Sequence, residues 1–334
     1  MKKKIQKTLL RGGISGLLMA AILWKIDLDG LRATFMAVQP GVFALATALF
    51  LLQQAIIAYS WQMLLDAQKS NVPFATVLKV HFMGTFFGVF MPTSIGMDIV
   101  RAFSLSRYMK KGMDAATSMF ISRVVGYIVF FAIALLVAVP VAYQTGNPLL
   151  FWLVLGLFFG FMVAVWMVMS ERVLGWFRPL LLKFRLSGVA DKIGQFQKGA
   201  QFLHQNRTLM LKLLAVSVLF QVLGIYVIYL VGRSLHIDIG LTYYFIYVPL
   251  IMAITILPLS IAGIGIREGS FVFFFTPLGA TEEQALSLSL LLFAQMIFVA
   301  LIGGVLYLLG DFAPKTKTAE ETVPTVSEAS SVKR

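Results

Sequence analysis

Two stretches decide how this chain folds: Pro92-Thr93-Ser94-Ile95-Gly96-Met97-Asp98-Ile99-Val100-Arg101 and Pro258-Leu259-Ser260-Ile261-Ala262-Gly263-Ile264-Gly265-Ile266-Arg267. Proline, serine, isoleucine and arginine recur in the same register, with nine positions from proline to arginine in both. Each stretch interrupts an apolar run. Residues 82–91 are apolar and stop at Pro92; ten residues at a rise of ~1.5 Å cover about half of the hydrocarbon thickness of a bilayer. Residues 241–257 end at Pro258 and meet the Ala262–Gly265 break, after which Phe271–Phe275 leads to Pro277. Proline removes an amide donor and glycine allows a tight turn, so each break presents backbone groups that only protein or an enclosed aqueous cavity can satisfy at membrane depth.

Composition places both breaks in a membrane. Of 334 residues, 59% are hydrophobic and only 13% charged, with a mean hydropathy of +0.87. A soluble domain carries about a quarter charged residues, so this much apolar surface requires a bilayer. Disordered, collagenous, coiled-coil and disulfide-scaffold classes are excluded for most of the length. The absence of cysteine removes thiol catalysis, disulfides and thiolate metal sites together. His81, His204 and His236 lie far apart in sequence and predict no metal centre. No Walker motif is present, so ATP hydrolysis by this chain is excluded, and no cofactor is expected.

Segments long enough to span are 10–27, 41–65, 112–141, 148–169, 209–232 and 284–310. The first apolar run, Gly12–Ile26, has no small-residue cleavage pattern before Leu28-Asp29-Gly30 and is read as an uncleaved span. The net charge of +13 follows membrane topology rather than nucleic acid. With the N-terminus in the cytoplasm, six spans and each broken stretch entering and leaving on one side, the inner segments hold 24 of the 28 Lys and Arg. The outer segments keep Lys25, Arg32, Arg233 and Arg267. Forcing either broken stretch to cross would invert everything after it. The expected fold is an all-α polytopic membrane protein, with about six full transmembrane helices plus two re-entrant helical hairpins in an inverted repeat. The hairpins, about 73–108 and 241–277, open inward and outward respectively, within a single domain over 1–311. Residues 171–207 interleave Trp176, Phe177, Leu180, Phe184, Phe196 and Phe202 with basic residues, and read as a cytoplasmic amphipathic connector on the inner leaflet or as a solvated connector. Residues 312–334 turn to Lys, Thr, Glu, Ser and Pro, the composition of a disordered cytoplasmic tail.

Interrupted helices in opposed halves mark a transporter whose substrate site lies between them. An amide-rich tip followed by a helix N-terminus and an arginine suits a phosphate. The candidate head-group residues are Arg101, Arg267, Ser94, Ser260, Gly96, Gly263 and Gly265, together with Arg123 inside a span; Asp98 and Glu268 are charge partners or coupling groups. The alternative is that Asp98–Arg101, and Glu268 with Arg267 or Arg123, are ion pairs that fix helix packing, with Arg123 an inner-leaflet anchor. Lys79 and His81 are expected at the interface. Phe271, Phe273, Phe274 and Phe275 are expected to face lipid or core.

The segment Phe90–Arg101, with Arg107, Ile121-Ser122-Arg123-Val124-Val125-Gly126 and Leu257-Pro-Leu-Ser-Ile-Ala-Gly-Ile-Gly-Ile-Arg-Glu-Gly269, resembles the lysylphosphatidylglycerol synthase transmembrane-region family of flippase-like bacterial and archaeal proteins. The resemblance runs over roughly residues 10–310. Where that family often carries Gly-Gly-Asp, this chain has Gly96-Met97-Asp98. The resemblance implies a bacterial cytoplasmic membrane and movement of a phosphate-bearing lipid between leaflets: an aminoacyl-phospholipid, a polyprenyl-linked carrier or a hopanoid-type lipid. Members that make lysylphosphatidylglycerol carry a soluble aminoacyltransferase domain after the membrane part; this chain ends about 24 residues after its last span, so that domain is expected to be absent. A lipid flippase or scramblase, not an enzyme, is therefore expected, with membrane lipids as partners and a lipid synthase as a possible further one. The other readings are an integral-membrane transferase acting on a polyprenyl-phosphate or phospholipid, and a non-transporting accessory subunit.

Both termini are expected in the cytoplasm. The chain has no native cysteine, so single cysteines report cleanly: those near Gly146 and Asp238 label from outside, and one near Ser187 only after permeabilisation. Outside labelling near Ser187 overturns the topology.

Overall fold

A computed structural model describes residues 26–70, 72–89, 100–102, 104–105, 112–146, 148–170, 205–256 and 263–309, with residues 13, 16, 20–22, 24 and 197. Among the described residues there is no strand. Helix α1, Leu28–Met36, is capped by Asp27, whose carboxylate accepts the Asp29 and Gly30 amides at 3.1 and 3.0 Å. Helix α2, Pro40–Ala67, begins with proline at a first-turn position where no amide is needed. There follow α3 (Phe74–Val89), α4 (Gly112–Thr145), α5 (Pro148–Met169), α6 (Arg207–Ser234), α7 (Leu241–Ile256) and α8 (Ile266–Phe275). A 3₁₀ turn, Thr276–Leu278, leads to α9, Glu282–Leu309.

Among the described residues, five helices are long and apolar enough to cross a membrane: α2, α4 over Thr117–Tyr143, α5 over Phe151–Val168, α6 and α9. They match the expected spans at 41–65, 112–141, 148–169, 209–232 and 284–310 to within a few residues. The expected first span over 10–27 lies mostly outside the described residues. So do the connector at 171–207, apart from 197 and 205–207, and the whole of 312–334. The first interrupted helix is longer than its apolar run suggests, because α3 begins at Phe74 rather than Phe82. Its extra turns are amphipathic: Lys79 is exposed, while His81 is buried against Gln54.

Lipid offers no hydrophobic drive for one helix to pack on another, so small residues and amide side chains set the register. Gln53 on α2 donates to the Phe220 carbonyl of α6 at 3.1 Å, and Gln221 of α6 donates to the Gly126 carbonyl of α4 at 2.9 Å. Gln295 of α9 donates to the Thr47 hydroxyl of α2 at 3.0 Å. On α9, Gly303 lies so close to α3 that a Cβ there would overlap the Phe82 carbonyl, and one at Gly304 would come within 2.9 Å of the Phe86 ring.

The described elements on either side of each break pack against one another. Tyr244 near the start of α7 meets Phe275 at the end of α8, with ring centroids 4.9 Å apart, and Tyr247 meets Phe274 at 5.4 Å. Nearer the break, the Thr255 methyl lies against Gly263. On the other side, Arg101 returns beside His81 and Thr85, and Leu105 is buried with Val72, Val77 and Val80 at the base of α3. The two bases sit at opposite ends of α2. Gln39, just before α2, donates its amide to Ser234 at 2.9 Å, where α6 ends and the chain turns into α7. Trp61 and Leu65 near the other end of α2 pack with Val72 and Leu105, and Gln62 donates to the Val72 carbonyl at 2.8 Å. At 28 residues, α2 is about 42 Å long.

Gly303→Ala is expected to lower stability by about 1–3 kcal/mol through overpacking against the α3 backbone. Gly156→Ala, where nothing lies within 4 Å, leaves stability unchanged or slightly raised. Thermal unfolding of the two variants in the same detergent checks the difference.

Candidate functional site

The break before α8 places Gly263 and Gly265 at φ +77° and +84°, where a side chain is strained. Their backbone starts the helix: the Gly263 carbonyl accepts the Arg267 amide at 2.8 Å and the Gly265 carbonyl accepts the Gly269 amide at 3.0 Å. The first amides of a helix have no partner within it. Glu268 supplies one, its Oε2 accepting the Gly265 N–H at 2.6 Å, so the side chain of the third helical residue reaches back over the terminus. Its negative charge also suits the positive end of the helix dipole.

The other carboxylate oxygen gathers three donors. Arg267 approaches Oε1 through Nη2 at 2.6 Å and Nε at 3.2 Å, and the Ser289 hydroxyl donates to it at 3.1 Å. The Arg267 Nε also lies 3.0 Å from Ser289 Oγ, and the guanidinium carbon sits 5.1 Å from the centroid of the Phe293 ring. Arg267 is 9% exposed and Glu268 fully buried. Among the described residues, Arg267 Nη1 has no hydrogen-bond partner, so two N–H groups of a buried guanidinium remain available for an anion. The aromatic run beyond is split by helical spacing, with Phe271 and Phe275 fully buried and Phe273 largely exposed.

A second cluster forms where the chain returns past α3. Arg101 donates from Nη2 to the Thr85 hydroxyl at 2.7 Å and from Nε to the His81 carbonyl at 3.3 Å. Its aliphatic stem lies on Gly84, where any Cβ would collide with it. His81 pairs with Gln54 through Nε2 at 3.0 Å and turns its ring edge-on to Phe82. The His81 ring is buried between helices, where Gln54 on α2 gives its polar edge a partner. Arg123 is half-buried on α4, beside Ser122, whose hydroxyl meets Ser60 of α2 at 3.0 Å.

The structure thus brings Gly263, Gly265, Arg267 and Glu268 into one cluster and seats Arg101 in another. Ser94, Gly96, Asp98 and Ser260 lie outside the described residues. Helix α9 borders both clusters. Ser289 and Phe293 hold Arg267, while Gly303 receives α3 ten residues beyond Phe293, about 15 Å along the axis. Sequence reasoning missed Gly84, Thr85, Ser289 and Phe293. Thr85 stands one turn after His81, and Phe293 one turn after Ser289, but their arginine partners are set by tertiary packing.

The chain matches the lysylphosphatidylglycerol synthase transmembrane region over residues 8–304, and it belongs to that family. It is a multi-pass integral membrane protein of a lipid-handling family. No curated protein matches it.

Glu268→Gln is expected to cost about 3–5 kcal/mol, because it leaves a buried guanidinium without its counter-charge. Arg267→Leu combined with Glu268→Leu regains most of that loss, whereas Ser289→Ala costs about 1–3 kcal/mol. Denaturation midpoints in detergent rank the three variants.

Proposed function

We propose that this chain moves a phosphate-bearing lipid between leaflets as a flippase or scramblase, with the head group passing the two interrupted helices while the acyl chains stay in the bilayer. The observation that carries the reading is the buried Arg267, held at the start of α8 with Nη1 uncommitted among the described residues. A charge at this depth is costly and normally faces a partner or a pathway, and a guanidinium suits a phosphate better than an ammonium does. The contacts of α7 with α8, and of α3 with Arg101 and Leu105, support two re-entrant hairpins opening to opposite faces as an inverted repeat. The roughly 15 Å of α9 between the clusters supports two phosphate stations at different depths, Arg101 and Arg267, rather than one shared clamp. The positive-inside distribution supports a cytoplasmic side for both termini.

Reconstituted vesicles carrying a fluorescent lipid, quenched from outside by dithionite, test this. Replacing Arg101 by alanine is expected to slow lipid movement about ten- to hundredfold, as loss of charge-assisted hydrogen bonds implies, with partial rescue by lysine. The Arg267→Leu, Glu268→Leu double variant is expected to remain folded and lose movement. Wild-type movement in that stable double variant overturns the phosphate role of Arg267. A new covalent lipid product in the same vesicles, seen by mass spectrometry, identifies a transferase instead.

A further inference from the structure

An open cavity of mixed lining lies at the end of the bundle where α2 begins and α6 ends, and shares no residue with either arginine cluster. Its volume is about 520 Å³, within the range of small-ligand sites, and its walls include Gln39, Val42, Tyr229, Arg233, His236 and Asp238. The backbone there is stapled: the Gln39 amide donates to Ser234 at 2.9 Å, while the Ile237 and His236 amides turn back to Gly232 and Arg233. His236 occupies the left-handed cap position, φ +60°, where glycine is the usual residue. From there its Nε2 meets the Gln39 side-chain amide at 2.9 Å. An amide nitrogen can only donate, so Nε2 accepts and Nδ1 carries the imidazole proton. Among the described residues, that Nδ1–H has no acceptor.

Beside it, Arg233 Nη1 meets Asp238 Oδ1 at 2.8 Å, with the two side chains 48% and 96% exposed. A pair this exposed contributes little and is readily exchanged for another partner. One nitrogen and one oxygen are engaged, leaving the rest of the guanidinium fork and Oδ2 uncommitted among the described residues. The wall behind is fixed: Tyr229 stacks on Tyr226 with centroids 6.0 Å apart and stands perpendicular to Tyr244 at 5.4 Å. Cationic and anionic groups thus stand side by side over an aromatic wall and an apolar floor at Val42.

We propose that this cavity is a receptor for the head group of a zwitterionic, amine-bearing phospholipid. The phosphodiester is bound by Arg233 and the His236 Nδ1–H, and the ammonium by Asp238 against the Tyr229 face. A ligand carrying both charges replaces the Arg233–Asp238 contact with two contacts of the same kind, which a purely anionic head group cannot do. The proposal rests on the lipid-transport reading and names the lipid class offered to it from the outward end. The same chemistry occurs in free solutes such as glycerophosphoethanolamine, and the experiment separates the two sources.

Full-length protein in dodecyl maltoside micelles mixed with phosphatidylethanolamine and phosphatidylglycerol in equal amounts is analysed by native mass spectrometry for retained lipid. Wild type is expected to retain phosphatidylethanolamine at least tenfold over phosphatidylglycerol. Asp238→Asn abolishes that preference, and Arg233→Gln weakens retention of both lipids. Equal retention of the two lipids by wild type, or an unchanged preference in Asp238→Asn, overturns the site. Displacement of the lipid by millimolar glycerophosphoethanolamine with no dependence on acyl chains makes it a free-solute site and overturns the lipid assignment. Flipping is measured separately in vesicles, so loss of transport with binding intact rejects only the transport reading, and loss of binding with flipping intact rejects only this one.

Discussion

The Glu268 carboxylate is the group on which the α8 half of the molecule depends. A helix that begins at membrane depth must find partners for its leading amides without water. Glu268 answers the Gly265 amide with one oxygen and binds Arg267 and Ser289 with the other. Those bonds also tie α8 to α9, and the orientation so fixed turns Phe271 and Phe275 into the core and Phe273 outward. A carboxylate without this full set of donors would be too costly to bury.

The first interrupted stretch meets the same constraint differently. Arg101 and Leu105 lie along α3, and Arg101 is bound by an acceptor carbonyl at His81 and a hydroxyl at Thr85, with Gly84 giving its stem room. One arginine is held by a carboxylate next in sequence, while the other meets, among the described residues, two oxygens of the preceding helix. Helix α9 serves both, through polar and aromatic side chains at Ser289 and Phe293 and through absent side chains at Gly303 and Gly304. The division follows from spacing: close approach of two backbones needs glycine, whereas positioning a guanidinium needs a hydroxyl and a ring.

Much of the helical architecture was legible in the sequence because long apolar runs have a length that a bilayer dictates. Pro40, Pro148 and the glycine break before Ile266 mark their helix starts directly, and Glu268 beside Arg267 advertised its own ion pair. Polar residues inside short helices were less legible. Lys79 and His81 look interfacial in one dimension, and only the packing of α3 on Gln54 shows that one is exposed and the other buried. Ser289 and Phe293 carry no local mark at all, because a serine and a phenylalanine in an apolar helix are ordinary until a charge is docked against them. The same holds for Tyr229, Arg233 and Gln39, separated by nearly two hundred positions and joined only where α6 ends beside the start of α2.

The charge balance of the α8 cluster bears on how a substrate would leave it. Arg267 and Glu268 form an ion pair, and such a pair tolerates burial far better than either member alone. A phosphate bound at Nη1 adds negative charge beside an existing carboxylate, placing two anions around one guanidinium in a low-dielectric site. Attraction and repulsion of that kind oppose each other at short range, so the phosphate would be held weakly unless Arg267 swung away from Glu268 and Ser289. Weak, readily released binding is what a transport station requires, since tight binding at one depth would trap the lipid there. An arginine permanently paired with an acid is consequently better suited to passing a phosphate along than an arginine left bare.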